Sequence, residues 1–203
     1  MTHPTPGTGR RQRLKAATHA VHEQLDRRIM AFRPFADRER YTAFVHTQHR
    51  VHRDVEALFA HPQLNARLPQ LAERSRLALV RQDLADMGAA VDDAALPAPT
   101  FTPGAPVDLP TALGWLYTVE GSNLGAAFLL KAAAGLGLDG SFGARHLAPH
   151  PDGRAAHWRD FIAQLDELAL TPEEEARAEA GARAAFSSVL GYVEQYCVLP
   201  AAA

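Results

Sequence analysis

Residues 114–131 read GWLYTVEGSNLGAAFLLK, and this stretch decides the fold class. Apolar side chains recur through it at helical spacing, which predicts an α-helix over 109–134. Gly121 and Gly125 interrupt that helix four residues apart, on one face. A glycine inside a helix costs about 0.5–1 kcal/mol relative to alanine through lost backbone entropy. A helix–helix seam does not require two such losses, because alanine packs there nearly as well. Backbone laid bare along one helical face instead suits a flat, wide group pressed against it.

The rest of the chain is read outward from this helix. The set Leu14, Ala17, Val21, Leu25 and Ile29 predicts an amphipathic helix over 10–32. A second spans 35–61, with Tyr41, Phe44, Val45, His52, Val55, Leu58 and Phe59 as inner positions, and a third spans 69–87. The segment VDDAALPAPTFTPGAPVDLP (91–110) has no periodicity and is dense in proline and acid, so it is a connecting loop. Helices over 153–169 and 172–196 close the chain. The last carries Thr171 as N-cap, Pro172 at its first position and an acidic first turn. No strand pattern and no internal repeat stand out. The expectation is an all-α, single-domain bundle over 10–198, with a disordered tail at 1–9 and a short tail at 199–203.

Composition narrows the function classes. A chain of 203 residues, 47% hydrophobic, holds one core of ordinary size. A formal charge of -2 argues against nucleic acid as the main partner. The single cysteine, Cys197, excludes an internal disulfide and a cysteine-built zinc site. The longest apolar run, 113–138, contains Glu120, Asn123 and Lys131 and reads as a buried helix rather than a membrane span. No apolar leader opens the sequence, so the default is a soluble, cytoplasmic protein, expected to be a monomer.

Ten histidines invite a metal reading. His46, His49 and His52 lie three apart with no carboxylate in a ligand pattern between them, and surface histidines are the simpler reading. His146, His150 and His157 fall in or beside loops and carry little signal. His22 differs, because it shares the apolar stripe of the first helix. Taken alone, such a histidine is a hydrogen-bonded core residue. Asp26, one turn on, can fix its tautomer, and Lys15, two turns back, adds a cation on a long stem. An oriented imidazole, a nearby cation and a glycine-lined helix suit a flat, anionic, iron-bearing ligand, namely heme.

The motifs extend this reading. LKAATHAVHEQLD (14–26) resembles the proximal-helix motif of the heme oxygenases, and EGSNLGAAF (120–128) resembles the distal-helix motif of their bacterial, iron-acquiring branch. The resemblance continues through FGARHLAPHPDG (142–153) and the Thr-Pro-capped last helix. It implies a single helical domain with heme sandwiched between proximal and distal helices. The implied activity is oxidative opening of heme by O2 and external electrons, giving biliverdin, CO and ferrous iron, for iron acquisition or bilin supply. By position, the resemblance makes His22 the iron ligand and Asp26 its partner, where the family often has glutamate. Gly121 and Gly125 become the distal glycines, Lys15 and Tyr117 the propionate holders, and Phe186 an aromatic packed on the heme. Mammalian members carry an aspartate after the first distal glycine. Here Ser122 and Asn123 stand in that region, so protons must be managed otherwise, by Asn123 or backbone carbonyls with an arginine such as Arg76 or Arg81. Relatives that cut away from the α edge lack the lysine and tyrosine, so α-biliverdin is the expected isomer. The basic cluster Arg10, Arg11, Arg13 and Lys15 is either a solvated helix start or a docking rim for an electron donor, whether a reductase, ferredoxin or flavodoxin. The competing classes are a non-catalytic heme-sequestering protein with the same pocket, a cofactor-free thiaminase-like protein, and a di-iron oxidase drawing on His46, Glu56 and Glu120.

Overall fold

The computed structural model describes residues 9–198, so the expected tail at 1–9, except for Gly9, and the tail at 199–203 lie outside the described residues. Seven α-helices appear among those described: α1 (Arg10–Phe32), α2 (Arg38–Phe59), α3 (Pro62–Asn65), α4 (Leu77–Asp86), α5 (Leu109–Ala134), α6 (Arg154–Glu167) and α7 (Pro172–Tyr196). Outside them the described residues form loops, single 3-10 turns and two isolated bridges at Asp139, so the chain is all-α.

Caps explain where the helices begin. Asp37 accepts from the Arg40 amide at 2.8 Å to start α2, and Asp108 accepts from Thr111 to start α5. Thr171 and Glu174 satisfy each other's backbone amides in a capping box that starts α7. The expected third helix is shorter than its periodicity suggested. Leu71–Arg74 is a 3-10 turn, Ser75 is extended, and α4 begins only at Leu77. Side-chain contacts account for the break: Ser75 Oγ donates to Glu56 at 2.6 Å, and Arg74 turns inward to Glu120 at 2.8 Å. The proline-rich loop is strapped to α2, where Asp54 accepts from the Thr100 amide and Arg53 donates to the carbonyls of Asp93 and Pro97.

Helix α7 organises the bundle, with α5, α1 and α2 all packed on it. One core cluster gathers Leu14, Val55, Leu58, Trp115, Leu116, Phe161 and Ala182, and another gathers Leu25, Phe32, Tyr41, Phe44, Leu84, Ala126 and Phe186. Val189 of α7 packs against both. The α5–α7 contact is close enough to involve backbone. A Cβ on Gly114 would lie 2.0 Å from the Ala178 carbonyl oxygen, and one on Gly181 would lie 2.3 Å from that of Thr111. Two helices therefore interlock through reciprocal glycines, one of them inside the 114–131 stretch.

Helix α5 changes character along its length. From Pro110 to Glu120 nearly every residue is buried, whereas Ser122, Leu124, Gly125, Ala127 and Phe128 are exposed. The expectation of a wholly buried helix holds only for its first half. No helix among the described residues is long and apolar enough to cross a membrane.

Candidate heme site

The site is built where α1 and α5 both lie across α7. Leu25 of α1, Ala126 of α5 and Phe186 of α7 belong to one apolar cluster. Phe186 is thus the floor between the other two helices. The residues flanking that contact are open. His22 is 55% exposed, Leu124 is 43% exposed and Phe128 is 69% exposed. Exposed large apolar side chains beside a bare backbone mark a binding surface rather than ordinary surface scatter.

His22 is not the core residue its place on the stripe suggested. Its ring stands edge-on to Phe186, with centroids 5.2 Å apart, and its Nδ1 lies 3.0 Å from Asp26 Oδ2. Aspartate therefore reaches the ring directly, without an intervening water. An Nδ1 engaged by a carboxylate leaves Nε2 with its lone pair free for a metal. On α5, a Cβ on Gly125 would meet nothing within 4 Å, and one on Gly121 would meet only the Trp158 ring, at 3.5 Å. Packing does not demand glycine at either position. Open backbone, an apolar floor and an oriented imidazole together fit heme.

The remaining expected residues lie on α1, on α5 and at or in α4. Lys15 is exposed on α1, and Tyr117 is half-buried one turn before Gly121, its ring 5.7 Å from Trp158. Burial raises the Tyr117 phenol, and the Arg11 guanidinium works against that shift. Ser122 is self-satisfied, its Oγ donating to the Val119 carbonyl at 2.7 Å. Asn123 contributes its backbone carbonyl, which accepts from Arg154 at 3.2 Å. Arg81 pairs with Asp93 in the proline-rich loop, while Arg76 donates to the carbonyls of His146 and Ala148 and faces Glu120. Of the two arginines, only Arg76 acts on Glu120 of α5.

The basic cluster splits. Arg10 is buried, pairs with Glu175 at 2.8 Å and donates to the carbonyls of Leu165 and Leu168 at the end of α6. Arg13 joins the same carboxylate at 2.7 Å. Arg10 is thus a fastening between α1, α6 and α7 rather than part of a docking rim. Arg11 and Lys15 remain exposed.

Several buried polar groups escaped the sequence reading. His49 and His52 are buried, which agrees with the inner position expected for His52 and overturns the surface reading of the pair, and burial lowers them to about 4 and about 3. His146, expected to carry little signal, is buried with Nδ1 2.7 Å from Asp83. Glu120 is buried against Arg74; burial raises its carboxyl and the Arg74 charge opposes the rise. His157, 3.8 Å from Glu120, is lowered to about 4 by burial and by Arg74. The residues a di-iron site would need are engaged apart: Glu56 with Ser75, Glu120 with Arg74, and His46 stacked on Tyr196. The sequence signal missed was the position of His49 beside Val45 and His52 on the inner side of α2.

The neutral histidines have a consequence for stability. Unfolded histidine titrates near 6.5, so between about pH 6.5 and 4 the unfolded chain binds protons that the folded chain refuses. Stability therefore falls as pH drops through that window. His49 and His52 each contribute a loss on the order of 2 kcal/mol by pH 5. Urea unfolding at pH 7 and pH 5 checks this, and a flat profile would contradict the buried neutral assignment.

Comparison with known proteins agrees with this geometry. The family model described as heme oxygenase matches residues 10–195. The chain belongs to the heme oxygenase family. Members are heme-degrading oxidoreductases. Heme oxygenase PigA of Pseudomonas aeruginosa is 43% identical over 178 residues, which is 88% of each chain. The heme oxygenase of Neisseria meningitidis, solved in NO- and CO-bound forms, superposes with a TM-score of 0.86 at 42% identity, covering 97% of this chain and 96% of that one. The fold and the heme-degrading class of this family member thus agree with what its two helical motifs implied.

Proposed function

We propose that this heme oxygenase holds the substrate iron on His22 Nε2 and opens the ring at the α edge to give biliverdin, CO and ferrous iron. The observation that carries the reading is the pairing of His22 with Asp26 at 3.0 Å on the open side of the Phe186 floor. When bound, heme supplies both the iron that activates O2 and the carbon that is oxidised. Asp26 fixes the ring orientation of His22 and strengthens Nε2 as a donor. Phe186 supports one macrocycle face, and the bare backbone at Gly121 and Gly125 lets the other face approach α5 closely. Leu124 and Phe128 exclude water from the apolar edge. Lys15 and Tyr117 hold the propionates and so fix the rotation of the ring about the iron axis. Proton supply runs through the polar groups beneath α5, with Arg76 and the backbone around Asn123 in place of a distal carboxylate. Exposed Arg11 and Lys15 form a small basic rim that favours an acidic electron donor, in keeping with an external reductase, ferredoxin or flavodoxin.

Aerobic incubation with heme and a reductant tests the activity. Loss of the Soret band with bilin formation supports the oxygenase, whereas a stable Soret band would make the protein a heme carrier. The anchors are tested by product chromatography. Lys15→Ala combined with Tyr117→Phe is expected to shift a substantial share of product away from the α isomer, and a product mixture unchanged from wild type would remove these two residues from the propionate role.

A further inference from the structure

Beneath the exposed half of α5 the charges do not balance. Arg74, Arg76 and Arg154 enter this region from the turn before α4 and the start of α6, and Glu120 is the carboxylate that faces them. Arg74 takes Glu120 as its direct partner at 2.8 Å. Arg76 Nη1 donates to the carbonyls of His146 at 2.7 Å and Ala148 at 3.0 Å. Arg154 donates to the carbonyl of Leu147 and, at 3.2 Å, to that of Asn123. Two guanidiniums thus converge on three successive carbonyls, 146 to 148. Among the described residues, neither has a carboxylate within ion-pairing distance; the ion pair of Glu120 goes to Arg74.

Several neighbouring carboxylates are engaged elsewhere, and Asp160 faces His157. Asp83 is engaged by His146 and Arg145, and Asp86 by Arg145. Asp152 sits 3.4 Å from His150, and His157, beside Glu120, is held neutral. Arg76 and Arg154 are both partly buried. Burial depresses both guanidiniums, and the charge of Arg154 adds to the shift of Arg76. Carbonyls satisfy N–H groups but do not neutralise charge, and an arginine stays protonated in proteins. A partly buried cation without a counter-ion is unfavourable. Each guanidinium also has five N–H donors, more than the recorded carbonyl bonds occupy.

We propose that Arg76 and Arg154 form a binding site for a small monovalent anion, of the size of chloride or formate, beside the turn at residues 146–148. The anion accepts the guanidinium N–H groups that the carbonyls leave over. Because Arg154 also holds the Asn123 carbonyl, occupancy braces the segment 121–125. Binding itself stands independently of the heme reading; only this consequence for the distal segment rests on it.

The test uses the heme-free full chain at constant ionic strength, with sodium gluconate, too bulky for such a site, progressively replaced by sodium chloride or sodium formate. A saturable rise in Tm is expected for wild type. Arg154→Gln is expected to weaken the half-saturation point by about tenfold, the equivalent of one charge-assisted hydrogen bond. Arg81→Gln, which touches only the proline-rich loop, is expected to respond as wild type does. Broadening of the chloride NMR line, reversed by formate, reads the same site without unfolding and covers a variant that fails to fold. An identical, non-saturating response in wild type and Arg154→Gln, without line broadening, would overturn the proposal. His22→Ala is expected to keep the anion response while losing heme ligation, so failure of one reading is visible separately from failure of the other.

Discussion

Exchanging His22 for alanine is expected to abolish axial ligation of the heme iron and reduce turnover by at least about 100-fold, while leaving the chain folded. More than half of the side chain is exposed, and its ring contact is a single edge on Phe186. Loss of that contact costs on the order of 1 kcal/mol or less. Nothing in the interlock of α5 with α7 depends on it. The variant should therefore unfold in urea close to wild type while its ferric spectrum changes. Asp26→Ala should fall in between, with affinity or activity down by about tenfold, the lower end for a group that orients a metal-bound histidine. The measurement is heme titration of the three proteins side by side. An unchanged ferric spectrum with full turnover in His22→Ala would remove this residue from the iron.

The second large effect separates glycines that look alike in sequence. Gly114→Ala is expected to destabilise the fold by about 3 kcal/mol or more, because the new methyl would meet the Ala178 carbonyl at 2.0 Å. The obstacle is helical backbone, which cannot rotate away as a side chain could. Gly125→Ala should do the opposite and stabilise by about 0.5–1 kcal/mol, since its Cβ enters open space and the helix gains propensity. A large side chain at Gly125 should leave unfolding near wild type yet abolish heme turnover by filling the cleft. Urea unfolding and heme titration of Gly114→Ala, Gly125→Ala and Gly125→Phe test the set. A Gly125→Phe protein that turns over heme normally would mean that the cleft lies elsewhere.

Much of the helical plan is visible in local residues. Asp108 before Leu109, Thr171 before Pro172 and the stripe from Leu14 to Ile29 mark their helices through caps and periodicity, interactions made within a few residues of chain. The break before α4 is invisible by the same logic. It depends on Ser75 meeting Glu56 and Arg74 meeting Glu120, partners 19 and 46 residues away. The basic start of α1 looked uniform, but Glu175 on the last helix draws in Arg10 and leaves Arg11 exposed. His52 stood among the expected inner positions of its helix, but His49 did not, because a polar ring on a mixed helix face becomes an inner residue only when the rest of the fold closes over it.

What the sequence alone determined is the all-helical class, the two motif-bearing helices and the pairing of His22 with Asp26, because each depends on residues at most a few turns apart. Tertiary structure decided the meaning of the glycines in GWLYTVEGSNLGAAFLLK. Gly114 serves the contact with α7, whereas a Cβ on Gly121 would meet only Trp158 of α6 and one on Gly125 would enter open space, and only the positions of the other helices distinguish them. It also decided where charge is left uncompensated. Coulomb interactions act through space, and Arg74, Arg76, Glu120 and Arg154 become neighbours only when three separate segments of the chain are folded together.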